Sequence, residues 1–94
     1  MSEDACVELP CLIDSCGIIP CYIGELPLQC AAINQTNINV QLLTIEAALT
    51  HKKEHVYHAA LLDPHTAAEL TIDDIIAMCD EMLEANADFL PEYK

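Results

Sequence analysis

The apolar positions in the first third of the chain fall in short runs, 7–9, 11–13 and 18–23, punctuated by Pro10 and Pro20 and rich in residues that favour extended backbone. The pattern predicts a β-hairpin over residues 6–23. Its turn is Asp14-Ser15-Cys16-Gly17, because an aspartate side chain bonds backbone two residues on and glycine accepts the positive φ that closes a three-residue loop. With 15–17 as the loop, Asp14 faces Ile18 and Cys11 lies across from Cys21, close enough for a disulfide. That register has a flaw: it sets Pro20 opposite Leu12 at a hydrogen-bonded position, where proline has no N–H to give.

From Pro27 the period changes. Leu28, Ala31, Ile38, Leu42, Ile45 and Leu49 recur at helical spacings, so a long helix is predicted over 27–50 with Pro27 in its first turn. A second stripe, Ile33, Val40, Leu43 and Ala47, makes this helix apolar on more than one side, so it needs partners on several faces. Residues 50–53 interrupt it. Helical segments follow over 54–70, divided where Asp63 and Pro64 supply an N-cap and a first-turn proline. Thr71 and Asp74 read as a capping box with the shorter acid, opening a last helix over 72–87 whose Ile75, Ile76, Cys79, Met82 and Leu83 form one stripe. The fold class is α+β, an N-terminal hairpin followed by mainly α-helices.

Composition sharpens this reading. Ninety-four residues make at most one domain, which buries only roughly 60–70% of the surface its unfolded chain exposes. Yet 53% of the residues are apolar, so the chain carries more apolar surface than a domain this small can hide. Three basic residues against sixteen acidic ones leave a formal charge of -13, which repels nucleic-acid backbones and anionic membrane surfaces. No apolar run reaches the length of a membrane span, and residues 1–4 carry acids where a secretory leader needs bases. A cytoplasmic location is expected. Six cysteines stay reduced there, and the sequon at Asn34 goes unused.

The cysteines and histidines are the first candidates for chemistry. Cys6, Cys11, Cys16 and Cys21 stand at five-residue intervals, so four residues intervene between neighbours, the upper edge of the two to four that zinc knuckles use. An odd offset also reverses side-chain direction along a strand, so Cys6 and Cys11 face opposite ways. His51, His55 and His58 share one face only if the helix is continuous, and His-Glu-x-x-His is absent. "HKKEH" reads as a solvated helix face. No nucleophile elbow, Walker loop or dinucleotide fingerprint is present, and Gly17 and Gly24 are the only glycines. The sixteen acids read as solvated surface rather than a glycosidase carboxylate pair, and Tyr22, Tyr57 and Tyr93 have no local basic partner.

The order of segments is more specific than any one of them. "CVELPCLID", "GIIPCYIGELPLQCAAINQTNINVQLLTIEAALT", "HVYHAALLDPHTAAEL" and "DEMLEANADFLPEY" together resemble the C-terminal end of family 4 glycoside hydrolases, nearest to the α-galactosidase and α-galacturonidase branch. The resemblance runs from about Cys6 to Tyr93. It implies a fold like the C-terminal part of the second domain of lactate and malate dehydrogenases, with residues 1–94 as a single partial domain.

It also implies NAD and a divalent metal, usually manganese, for the full-length family. Such enzymes oxidise the sugar 3-hydroxyl, remove the acidified C2 proton, eliminate the leaving group, add water and reduce the ketone again with the retained NADH. The family's Gly-rich loop, metal-binding Cys and His, and catalytic base all lie upstream of the matching region. No catalytic, cofactor-binding or metal residue is therefore assigned here: neither the cysteines from Cys6 to Cys30 nor the histidines from His51 to His65 match the family's metal ligands. The leading expectation is a C-terminal segment, inert alone, that associates with itself or with the missing Rossmann and catalytic portion. The alternatives are a stand-alone acidic protein-binding module and a Cys-rich metal or redox module.

Overall fold

The computed structural model describes residues 3–94; Met1 and Ser2, the start of the stretch read for a leader, lie outside the described residues. Two short strands, β1 (Cys11–Asp14) and β2 (Gly17–Pro20), form an antiparallel hairpin. Four helices follow: α1 (Leu28–Thr50), α2 (Lys53–Leu62), α3 (Pro64–Glu69) and α4 (Ile72–Ala85). The class is α+β, as the hydrophobic pattern predicts.

The turn chemistry follows the sequence, but the register does not. Asp14 Oδ1 accepts the Cys16 N–H at 2.7 Å, and Gly17 takes φ +119°, a left-handed conformation that glycine adopts without strain. Asp14 nevertheless pairs with Gly17 rather than Ile18, which shifts every later pair by one: Ile13 with Ile18, Leu12 with Ile19, Cys11 with Pro20. Cys21 lies beyond Cys11, its N–H donating to the Pro10 carbonyl at 3.0 Å. The shift removes the flaw of the expected register, because Pro20 now occupies a position whose N–H the ladder does not use. It also takes Cys11 and Cys21 out of direct opposition: they lie one position apart across the ladder, and since adjacent residues of a strand project to opposite faces, Cys11 shares its face with Pro20 and not with Cys21. The 7–9 run is not a strand, and the chain beyond Cys21 bends away through Gly24 at φ +97°.

The helix boundaries are set locally. Pro27 caps α1, and its carbonyl accepts the Cys30 and Ala31 N–H groups at 3.0 Å. At the other end His51 adopts a left-handed conformation (φ 54°), and its N–H closes on the Ala47 carbonyl at 2.9 Å. Asp63 caps α3, with Oδ2 accepting from the Thr66 N–H at 2.8 Å and the Thr66 hydroxyl at 2.7 Å. Thr71 caps α4 by accepting the Asp74 N–H at 3.2 Å, while its hydroxyl donates to Asp74 Oδ2 at 2.7 Å. Asp74 thus meets the threonine side chain rather than its backbone N–H, as the shorter acid requires. The last helix stops at Ala85, where the Asn86 side chain turns back to the Met82 carbonyl at 2.8 Å.

The core is small and lies on two sides of one helix. Ile38 and Ala47 are the buried residues of α1, and a repeat of about 3.6 residues per turn puts them on opposite faces. Ile38 lines a groove with Val7, Glu8 and Leu26, so the segment before the hairpin runs along the first half of the helix. Ala47 lines a second groove with Val56 and Ala59 of α2, together with Leu83 and Leu90. Ile75 and Cys79 of α4 complete the buried set with Ala59. The second stripe read from the sequence is therefore used, but only at one end of α1. Met82, assigned to the buried stripe of the last helix, is exposed.

Two global quantities show how much remains uncovered. The accessible surface is 7383 Å², where a compact monomer of 10.3 kDa exposes about 5,400 Å². The radius of gyration is 17.2 Å against about 12 Å for a compact domain of this length. The excess of roughly 2,000 Å² is the scale of one side of an obligate interface, not of a few loose side chains.

Candidate functional site

The one polar cluster joining different helices centres on Asp80 of α4, among the described residues. Lys53 Nζ lies 2.6 Å from Asp80 Oδ1, and the Tyr57 hydroxyl donates to the same oxygen at 2.5 Å. Lys53 also stands 5.5 Å above the Tyr57 ring. Tyr57 thus has a basic partner after all, four positions before it on α2, contrary to the sequence reading. The cluster borders a shallow cavity of about 600 Å³ whose far wall is Leu90, Pro91 and Tyr93.

The electrostatics argue against catalysis here. Hydrogen bonds from Lys53 and then Tyr57 hold the Asp80 carboxyl below its ordinary range, and hydrogen bonds to Asp80 and then Tyr57 push the Lys53 ammonium above its own. A general acid or base needs a pKa near the working pH, and a catalytic lysine needs a lowered one. Both groups move the wrong way. The cluster is a latch between α2 and α4, and no local sequence signal reveals it, because its halves lie 23 or more positions apart.

The eye-catching residues of the sequence are not brought together. All six cysteines are free thiols; Cys6, Cys11, Cys16, Cys21 and Cys30 are exposed, and Cys79 is buried. Burial, then the Asp80 charge, pushes the Cys79 thiol upward, which makes it less reactive. His51 leaves the helical row by turning left-handed at the end of α1, where it meets Tyr93 edge-on at 5.7 Å. His55 and His58 remain neighbours on α2, with ring centroids 6.4 Å apart. No three His, Cys, Asp or Glu side chains converge as a metal ion requires, among the described residues. No helix is long and apolar enough to cross a membrane, among the same residues.

What the geometry does present is uncovered apolar surface. Every residue of the hairpin is exposed, including Ile13 at 73% and Ile18 at 71%. Leu28 and Ile33 lie open on the first half of α1, Ile45 and Leu49 on the second. Large apolar side chains exposed in such number mark interaction surfaces when they lie together.

Comparison with known proteins identifies the family. The family model described as the family 4 glycosyl hydrolase C-terminal domain matches residues 1–66. An alpha-galactosidase of Bacillus subtilis (strain 168) is 62% identical over 94 residues, which are 100% of this chain and 22% of that protein. An alpha-galactosidase of Rhizobium meliloti (strain 1021) is 37% identical over 93 residues, 99% of this chain and 19% of that protein. A maltose-6'-phosphate glucosidase of Fusobacterium mortiferum is 27% identical over 90 residues, 96% of this chain and 20% of that protein. The chain spans about a fifth of the length of these relatives. No solved structure matches it. Matched by the family model over most of its length, the chain belongs to family 4 of the glycosyl hydrolases, in the C-terminal domain.

Proposed function

We propose that the chain is the C-terminal part of an NAD- and divalent-metal-dependent α-galactosidase, serving as scaffold and assembly surface and inert by itself. The observation that carries this reading is the roughly 2,000 Å² of surface beyond that of a compact monomer, in a chain 62% identical to a fifth of an alpha-galactosidase. Its partner is the remaining Rossmann and catalytic portion of such an enzyme, with self-association through the open faces of α1 when that portion is missing. The cytoplasm suits five exposed reduced thiols.

In this reading neither cofactor is held by this chain alone. Among the described residues no metal-ligand set converges, and Gly17 and Gly24 stand in separate turns rather than in a phosphate-binding loop. NAD and the metal therefore belong to the remainder of the enzyme in this reading. What the chain contributes is a surface: α1 is flanked by residues 6–8 and by α2, and its open faces are offered to that remainder.

The test is replacement. Substituting these 94 residues for the matching stretch of the Bacillus subtilis alpha-galactosidase leaves NAD- and metal-dependent turnover within about tenfold of the parent. A folded chimera without activity, or a 94-residue chain active alone, contradicts the reading.

A further inference from the structure

The hairpin has two edges, and they are chemically unequal. In an antiparallel ladder, residues of a hydrogen-bonded pair turn their N–H and C=O groups inward, and those of the alternate pairs turn them outward. The Cys21 N–H donates to the Pro10 carbonyl, so Pro10 with Cys21, Leu12 with Ile19 and Asp14 with Gly17 face inward. Cys11 with Pro20 and Ile13 with Ile18 then face outward. The outer edge of β2 runs through Ile18 and Pro20, and at Pro20 it has no donor to offer. The outer edge of β1 runs through Cys11 and Ile13 and keeps both donors and both acceptors. The other proline of the hairpin, Pro10, turns its missing donor inward, where it leaves that edge intact.

Proline on the outward side of a strand is the mark of a true sheet edge. Strand β1 carries none of the devices that keep an open edge from pairing: no lysine, no proline and no bulge interrupts 11–13. Its two faces are also both apolar, with Leu12 and Ile19 on one, Ile13 and Ile18 on the other, all exposed. A strand apolar on both faces reads as an interior strand of a covered sheet. A free two-stranded ribbon is marginal at best in water.

We propose that β1 is an interior strand of a larger sheet, and that its outer edge receives an extended strand from the part of a family 4 glycosidase outside these 94 residues. Pro20 leaves β2 as the rim of that sheet. The proposal rests on the functional reading above, and the occupant follows from coverage: the relatives matched over the whole chain have roughly four fifths of their length elsewhere. The incoming strand makes main-chain hydrogen bonds to Cys11 and Ile13, the β-augmentation mode of recognition, and specificity comes from side chains seated against Leu12 and Ile13.

Amide hydrogen exchange on the chimera tests it. The Cys11 and Ile13 amides should exchange about 100-fold or more slowly than in the isolated chain, while the Ile18 amide stays fast. Protection at Ile18 instead of Ile13, or at neither in a folded chimera, overturns the proposal. Protection of Cys11 and Ile13 in the isolated chain, rising with its concentration, overturns it in favour of a second copy as occupant. An inactive chimera with Cys11 and Ile13 protected contradicts the functional reading and leaves the strand standing. A second pair of variants works even if the fusion fails to fold. With the two pieces co-expressed as separate chains, Ile13→Pro abolishes co-purification and Ile18→Pro leaves most of it, and equal loss in both overturns the proposal.

Discussion

The backbone N–H of Lys94 donates to the carbonyl of His51 at 2.8 Å, and the Lys53 N–H returns a bond of the same length to the Lys94 backbone oxygen. The last residue is thereby tied to the turn between α1 and α2, beside the ring contact of His51 with Tyr93. Deleting residues 93–94 removes both bonds and the ring. At about 0.5–1.5 kcal/mol net for each hydrogen bond, the loss is about 1–3 kcal/mol. Urea unfolding should read that loss, with faster amide exchange at Lys53; an unchanged midpoint contradicts the tie.

The latch at Asp80 predicts a pH window. Asp80 is held below its ordinary range, so its contribution to stability is full above the unfolded value near ~3.9 and is lost as pH falls through the folded value. Lys53 is held above its ordinary range, so its contribution is full below ~10.4 and is lost as pH rises through the folded value. The difference in Tm between the parent and Asp80→Asn is then constant from about pH 5 to 9 and shrinks below about pH 4. The groups are partly exposed, so the difference is small and falls further in high salt. A difference that peaks below pH 4 contradicts the assignment.

The cap of α4 is neutral and simpler to read. Thr71→Ala leaves the Asp74 N–H without its acceptor and costs about 1 kcal/mol in a denaturant titration. Thr71→Ser retains the hydroxyl and costs much less. Equal loss in both variants assigns the effect to the methyl group instead.

Thiol reactivity separates the cysteines by burial. Under native conditions five thiols react quickly with an aromatic disulfide reagent, and Cys79 reacts only on unfolding. A slow thiol among Cys11 and Cys21 without added denaturant would point to a cover over the hairpin that the isolated chain does not have.

What was legible in the sequence was local. Pro27, the Asp63-Pro64 pair, the Thr71 cap and the Asp14 turn all act within four residues, and each sits where its chemistry placed it. The register of the hairpin was not legible, because whether Gly17 pairs or belongs to the loop moves all partners by one. The Asp80 latch was not legible either, since it needs α2 and α4 already packed. The stripes of α1 announced several partners but not where along the helix each one sits. Ile38 and Ala47 resolve this, one beside residues 6–8 and one beside α2, with Ile33, Ile45 and Leu49 left open.

The proposed assembly role requires that the uncovered apolar surface associate, and sedimentation velocity of the isolated 94 residues reads this in one experiment. At tens of micromolar the predicted result is a weight-average mass well above 10.3 kDa that rises with concentration. A compact monomer at 10.3 kDa across that range contradicts it.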